Sequence, residues 1–126
     1  NNRSSITAFS GKYAQFLDTN HPWGAGVTIR DVKPGSHFEL RLWKKSPDKN
    51  CLLVASCENP EGFYISGNDV IQKENGWEQI RLIVENGQNN TLKSIHFYIW
   101  YKGNDYAFVD DFQIKIINFA PTQQNP

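Results

Sequence analysis

The chain has no methionine, only two cysteines, no surplus of either charge and no sustained helical period, and each absence removes a class of protein. Thirteen basic and thirteen acidic side chains cancel to a formal net charge of zero. A neutral chain projects no long-range field toward nucleic acid or an anionic membrane, so neither is an expected partner. No apolar run approaches the roughly 18 residues that a membrane-spanning helix needs. The missing Met and the start Asn1-Asn2-Arg3 suggest a piece excised from a longer polypeptide, which would carry any export signal elsewhere. At 126 residues there is material for one domain with a real core.

Cys51 and Cys57 stand six apart in one apolar run. Along an extended strand their Cα atoms are roughly 20 Å apart, beyond the ~7 Å reach of a disulfide. Two free thiols are expected. The spacing also lacks the second Cys or His pair of a zinc site.

What is present is alternation. Residues 36–44 set Phe38, Leu40 and Leu42 against His37, Glu39, Arg41 and Trp43. Residues 77–86 set Ile80, Leu82 and Val84 against Gln79, Arg81 and Ile83, and residues 93–102 set Ile95, Phe97, Ile99 and Tyr101 against His96, Tyr98 and Trp100. A period of two is the mark of a half-buried strand. Further strands are expected at 6–9, 12–17, 26–32, 51–57, 62–66 and after Tyr106, separated by turns such as Ser10-Gly11, Lys33-Pro34-Gly35 and Asn59-Pro60-Glu61-Gly62. Many short strands predict an all-β antiparallel sandwich with jelly-roll winding, over residues 1–119 as a single domain. Residues 120–126 read as a linker or tail.

The run Val109-Asp110-Asp111-Phe112 places two carboxylates in the last strand. With Phe112, Ile114 and Ile116 facing inward, strict alternation puts Asp110 on the same inward face and Asp111 on the other. An inward carboxylate needs a metal, a salt bridge or hydrogen bonds. Adjacent acids on opposite faces make a poor catalytic pair, and no closely spaced acidic set of glucanase type occurs. Nor is there a nucleophile elbow, a phosphate-cradling glycine loop or a metal-hydrolase His pair. A lyase built on His96, Tyr98 and Arg41 is the remaining catalytic alternative, and a non-binding structural or interaction domain is another. The expectation is a chain that is not an enzyme.

The aromatic side chains that alternation leaves on the non-core face suit sugars. Trp43, Tyr98 and Trp100 fall there beside His96, His37, Arg41, Glu39, Gln79 and Arg81, while Trp23 in the loop His21-Pro22-Trp23-Gly24 offers a separate platform at an edge. Flat rings stack on the C–H faces of sugars, and Arg, Glu, Gln and His pair with hydroxyls. Trp77, following Gly76, reads as a structural lid. Arg41, Glu39 and Arg81 read equally well as cross-strand ion pairs.

The order Phe9-Ser10-Gly11-Lys12-Tyr13, Gly24-Ala25-Gly26-Val27-Thr28-Ile29, Lys33-Pro34-Gly35, Gly76-Trp77 and Phe108-Val109-Asp110-Asp111-Phe112 resembles the calcium-containing β-sandwich carbohydrate-binding modules, including xylan- and glucan-binding types. The resemblance covers residues 8–117. It implies a non-catalytic module, acting as a monomer, that binds oligo- or polysaccharide for the catalytic or other domains of the same polypeptide in an extracellular, cell-surface or periplasmic setting. It further implies a structural calcium held by Asp110, then Asp111, with main-chain oxygens of Ser10 or Lys12. Where such modules often add an early Glu, this chain has no acidic residue before Asp18. Lys12 as salt-bridge partner of Asp110 is the metal-free alternative.

Overall fold

The structure, a computed structural model, describes residues 3–4, 14–33, 35–59, 63–86 and 93–118. These form β1 (Arg3–Ser4), β2 (Ala14–Asp18), β3 (Trp23–Arg30), β4 (Ser36–Lys45), β5 (Cys51–Asn59), β6 (Tyr64–Gly67), β7 (Asp69–Glu74), β8 (Trp77–Glu85), β9 (Ser94–Tyr101) and β10 (Tyr106–Asn118). Among the described residues there is no helix. A six-stranded sheet runs β1-β2-β10-β4-β8-β7 and a four-stranded sheet runs β3-β9-β5-β6, every pairing antiparallel. The chain crosses from one sheet to the other after β2, β3, β4, β6, β8 and β9, which is the winding of a jelly roll.

The core lies between the sheets and is built by alternation. Phe38, Leu40 and Leu42 of β4 and Ile80, Leu82 and Val84 of β8 face Ile95, Phe97, Ile99 and Tyr101 of β9 and Cys51, Leu53 and Ala55 of β5. Phe38 and Phe97 meet across the sandwich with ring centroids 5.2 Å apart. Burying each such side chain contributes about 1.5–3 kcal/mol. Both cysteines are free, as the strand spacing requires. Burial pushes the Cys51 thiol up to about 12, so at neutral pH it is an inert packing group.

The three alternating runs fold as expected. The expected strand at 6–9, the Ser10-Gly11 turn and the tail at 120–126 lie outside the described residues. Strand β7 was not foreseen. Its hairpin to β8 turns on Asn75 and Gly76, with φ of 53° and 86°. Positive φ at both central residues is what a two-residue type I′ hairpin demands, and Asn-Gly is its preferred sequence.

The last strand corrects the placement of Asp110. Its first half points Ala107 and Val109 into the core, and its second half points Phe112 and Ile114 there. Odd and even positions exchange roles because a β-bulge intervenes: Asp110 pairs with Trp43 and Gln113 with Arg41, so Asp111 and Phe112 together oppose one residue of β4. Asp111 takes a left-handed φ of 59° to make the bend. Asp110 therefore shares the outer face with Phe108, and Ile116 is exposed rather than packed inside.

Candidate functional site

The outer face of the four-stranded sheet gathers the aromatics. Strand β9 alternates, so with Ile95, Phe97, Ile99 and Tyr101 in the core its His96, Tyr98 and Trp100 must face outward. Strand register then sets their neighbours. Trp23 of β3 lies opposite Trp100, Gly26 opposite Tyr98 and Thr28 opposite His96, while on the other side Ser56 of β5 lies opposite His96. A register shift between Trp23 and Gly26 inserts one residue into β3, and the Ala25 N–H freed there donates to Gln15 Oε1 at 3.0 Å. That bulge brings Trp23 onto the same face as Tyr98 and Trp100.

The rings form a continuous layer. Trp23 stacks on Trp100 with centroids 5.5 Å apart and planes 19° apart, and meets Tyr98 edge-on at 5.7 Å. His96 lies 5.2 Å from Tyr98. Leu52 and Val54 point to this face from β5 and are buried, giving the layer an apolar floor. Trp23 is 56% exposed, a large indole surface left to solvent. Stacked aromatic pairs hold about 0.5–1.5 kcal/mol beyond their burial, so the platform is pre-set.

Beside it runs an open groove of about 540 Å³ lined by Trp23, Gly24, Gly26, Ser56, His96 and Tyr98. Gly26 lines the groove where a side chain fits poorly: a Cβ there would meet Phe97 O at 3.2 Å and Tyr98 Cβ at 3.3 Å. Thr28 Oγ1 and His96 Nδ1 are 2.9 Å apart. The Tyr98 phenol is pushed upward by burial and by nearby Tyr64, against a hydrogen bond with Ser56 that lowers it. Tyr98 thus stays a neutral hydroxyl donor and acceptor. Among the described residues no Asp, Glu, Lys or Arg lines the groove. Such a surface offers ring faces for C–H stacking and hydroxyl or imidazole groups for pairing.

The other candidates do not converge on it. Glu39, Arg41, Trp43 and Arg81 face outward from the six-stranded sheet, on the opposite side of the sandwich. Trp43 is not a platform. It is 6% exposed, packed with Trp77 and Phe108 in a second small apolar cluster. Trp77 is structural as expected, although it packs outside the main core. Arg41 Nη2 bonds Glu39 Oε2 at 2.9 Å, and Arg81 Nη1 approaches the same oxygen at 3.7 Å. Alternation names the outer positions of every strand without saying which sheet the strand joins, and that is why two faces were merged into one.

Tyr64, Ser56 and Thr28 belong to the aromatic face and were missed. Ile65 packs on the core, so Tyr64 stands outside, half exposed and opposite Ser56. Alternation within Phe63-Tyr64-Ile65 carries that signal. The bulge carboxylates have their own contacts: Asp111 N–H donates to Asp110 Oδ1 at 2.7 Å and Gln113 Nε2 approaches Asp111 Oδ1 at 3.4 Å. Among the described residues no three His, Cys, Asp or Glu side chains gather as metal ligands. Ser10 and Lys12 lie outside the described residues.

No family model and no curated protein matches the sequence. Among solved structures the fold is similar to one described as Family 16 Carbohydrate Binding Module-2, with a TM-score of 0.59 and 16% identity over 90% of this chain and 83% of that one. It is also similar to part of the enzymatically active domain of bacteriophage CBA120 tailspike protein 4, with a TM-score of 0.53 and 14% identity over 93% of this chain and 17% of that one. At such identities the likeness is one of fold.

Proposed function

We propose that this chain is a non-catalytic carbohydrate-binding module, and that a polysaccharide lies across the outer face of its four-stranded sheet. One observation carries the reading. Trp23, 56% exposed and stacked on Trp100, forms a rigid aromatic platform beside a groove lined by His96, Tyr98 and Ser56, with Thr28 Oγ1 2.9 Å from His96 Nδ1. A sugar ring laid on the indole exchanges poorly hydrated C–H surface for aromatic contact, and the rim groups take up its hydroxyls. A groove whose described lining residues include no Asp, Glu, Lys or Arg suits a neutral glycan of the glucan or xylan type. A module of this kind, outside the cell, keeps the protein that carries it close to its polysaccharide.

A structural calcium at the β10 bulge belongs to the same reading. Asp110 and Asp111 supply carboxylates there, fewer than the six to eight oxygens calcium takes. The further oxygens that the resemblance to calcium-containing modules implies are main-chain ones of Ser10 or Lys12. Calcium would supply charge neutralisation and a cross-link, with no role in chemistry.

A glycan microarray probed in parallel with the wild type, Trp23→Ala and Trp100→Ala tests the function. Binding to neutral polysaccharides that both substitutions abolish is the expected result. Failure to bind any glycan, or equal binding by the variants, would overturn the reading in favour of a structural or protein-interaction domain.

A further inference from the structure

We propose that the outer face of the six-stranded sheet carries a second site, for the carboxylate of an acidic sugar, separate from the aromatic platform on the opposite face. The register sets two arginines directly opposite each other, Arg41 of β4 and Arg81 of β8, an arrangement that like charges disfavour unless an anion lies between or above them. Glu39 is that anion only in part. Its Oε2 serves both guanidinium groups, at 2.9 Å and 3.7 Å, while Lys115 of β10 stands opposite Glu39 on the other side. The remaining acid of the row is Asp69, opposite Arg81 on β7 and exposed at the sheet's edge.

A second observation points the same way. Arg41 Nε is buried and has no hydrogen-bond partner among the described residues, although a guanidinium carries five donors and buried ones are nearly always satisfied. The Arg41 side chain is 34% exposed, so its guanidinium can turn that edge toward the adjoining groove of about 370 Å³, lined by Glu39, Arg41, Gln113, Ile114 and Lys115. A carboxylate entering there meets the arginine fork in the bidentate geometry that the Glu39 contact leaves unused. Gln113 and the second Glu39 oxygen remain for ring hydroxyls. None of the described lining residues is aromatic, so attraction rests on charge, and binding must weaken with salt. The ligand is therefore a uronic acid residue within a saccharide, whereas the opposite face takes uncharged rings.

The test is a nuclear magnetic resonance titration of the full chain with trigalacturonate, cellotriose and sodium acetate in separate arms. Trigalacturonate is expected to shift the Arg41 and Gln113 side-chain signals. That response, followed at Gln113, should weaken about tenfold in Arg41→Gln, the loss of a charge-assisted contact, and several-fold in Lys115→Gln, with melting temperatures unchanged in the latter. It should persist in Trp100→Ala. Raising salt should weaken trigalacturonate binding without affecting cellotriose. Three results would each overturn the proposal: trigalacturonate shifting only the Trp23 and Trp100 signals, acetate binding as tightly as trigalacturonate, or no shift at either face.

Discussion

Trp23 and Trp100 stack across the β3–β9 pair, 5.5 Å apart between centroids, with Trp23 the exposed member and Trp100 the half-buried one. The asymmetry separates their contributions. Trp23→Ala removes ring surface that solvent already covers in part, so it should lower stability by no more than the stacking contribution of about 0.5–1.5 kcal/mol while costing about 1–3 kcal/mol of glycan binding. Trp100→Ala also uncovers Leu52, its partner on β5, and should lose stability as well as binding. Isothermal titration and thermal melts on the two variants check this. Equal loss of stability in both would mean that the platform is a packing element alone.

Much of this fold is legible in the sequence because alternation is a direct consequence of strand geometry. Residues 36–44, 77–86 and 93–102 needed nothing beyond a period of two. Three features were not legible. The bulge at Asp111 reverses which positions of β10 face inward, and nothing in Asp110-Asp111-Phe112 announces a left-handed residue. The bulge in β3 carries Trp23 onto the sheet face, which turns an apparent edge loop into part of the platform. The division of outward residues between two sheets depends on long-range pairing, so Trp43 and Arg41 were grouped with Trp100 although the sandwich separates them.

The β7–β8 hairpin was legible and overlooked. Asn75-Gly76 between extended runs is a strong turn signal, and the turn needs positive φ at both positions. A Cβ on Gly76 would meet nothing nearer than Lys45 Cε at 3.6 Å. The penalty for Gly76→Ala is therefore purely conformational, about 1–2 kcal/mol. Denaturant unfolding should show that loss with glycan affinity unchanged, because the hairpin lies on the opposite sheet from the platform. An unaltered midpoint would refute the strained-turn assignment.

Tyr101 and Asp48 make the stability pH-dependent at both extremes. Tyr101 Oη donates to Asp48 Oδ2 at 2.7 Å and accepts from the Asp105 N–H at 2.8 Å. Burial works to raise the Asp48 pKa, but hydrogen bonds from Tyr101, Asn50 and Ser46 outweigh it and hold the carboxyl below its ordinary value. A lowered folded pKa means that this stabilisation is present at neutral pH and is lost as pH falls below about 4. For Tyr101, burial and the Asp48 carboxylate push the phenol up to about 12. Its contribution is intact below about 10 and disappears as pH rises from there toward 12. Tyr101→Phe should cost about 1–2 kcal/mol at neutral pH and move the acid transition to higher pH, since Asp48 loses a donor. Melts across pH 2–7 decide it. An acid limb identical to the wild type would show that Asp48 draws no stability from this bond.

Removing calcium should act on the bulge and leave the platform alone. Asp110 and Asp111 lie on β10 where it pairs with β4 and meets the start of β2, whereas Trp23 and Trp100 belong to the other sheet. If calcium links these strands, chelation with EDTA lowers the melting temperature by several degrees, calcium restores it and magnesium, which demands tighter octahedral geometry, does not. Asp110→Asn should reproduce the chelated melting temperature and no longer respond to EDTA. Glycan affinity measured below the melting transition should be the same with and without the metal. A transition indifferent to EDTA in the wild type would leave Asp110 and Asp111 as turn-forming residues, shaped by the bulge rather than by a cation.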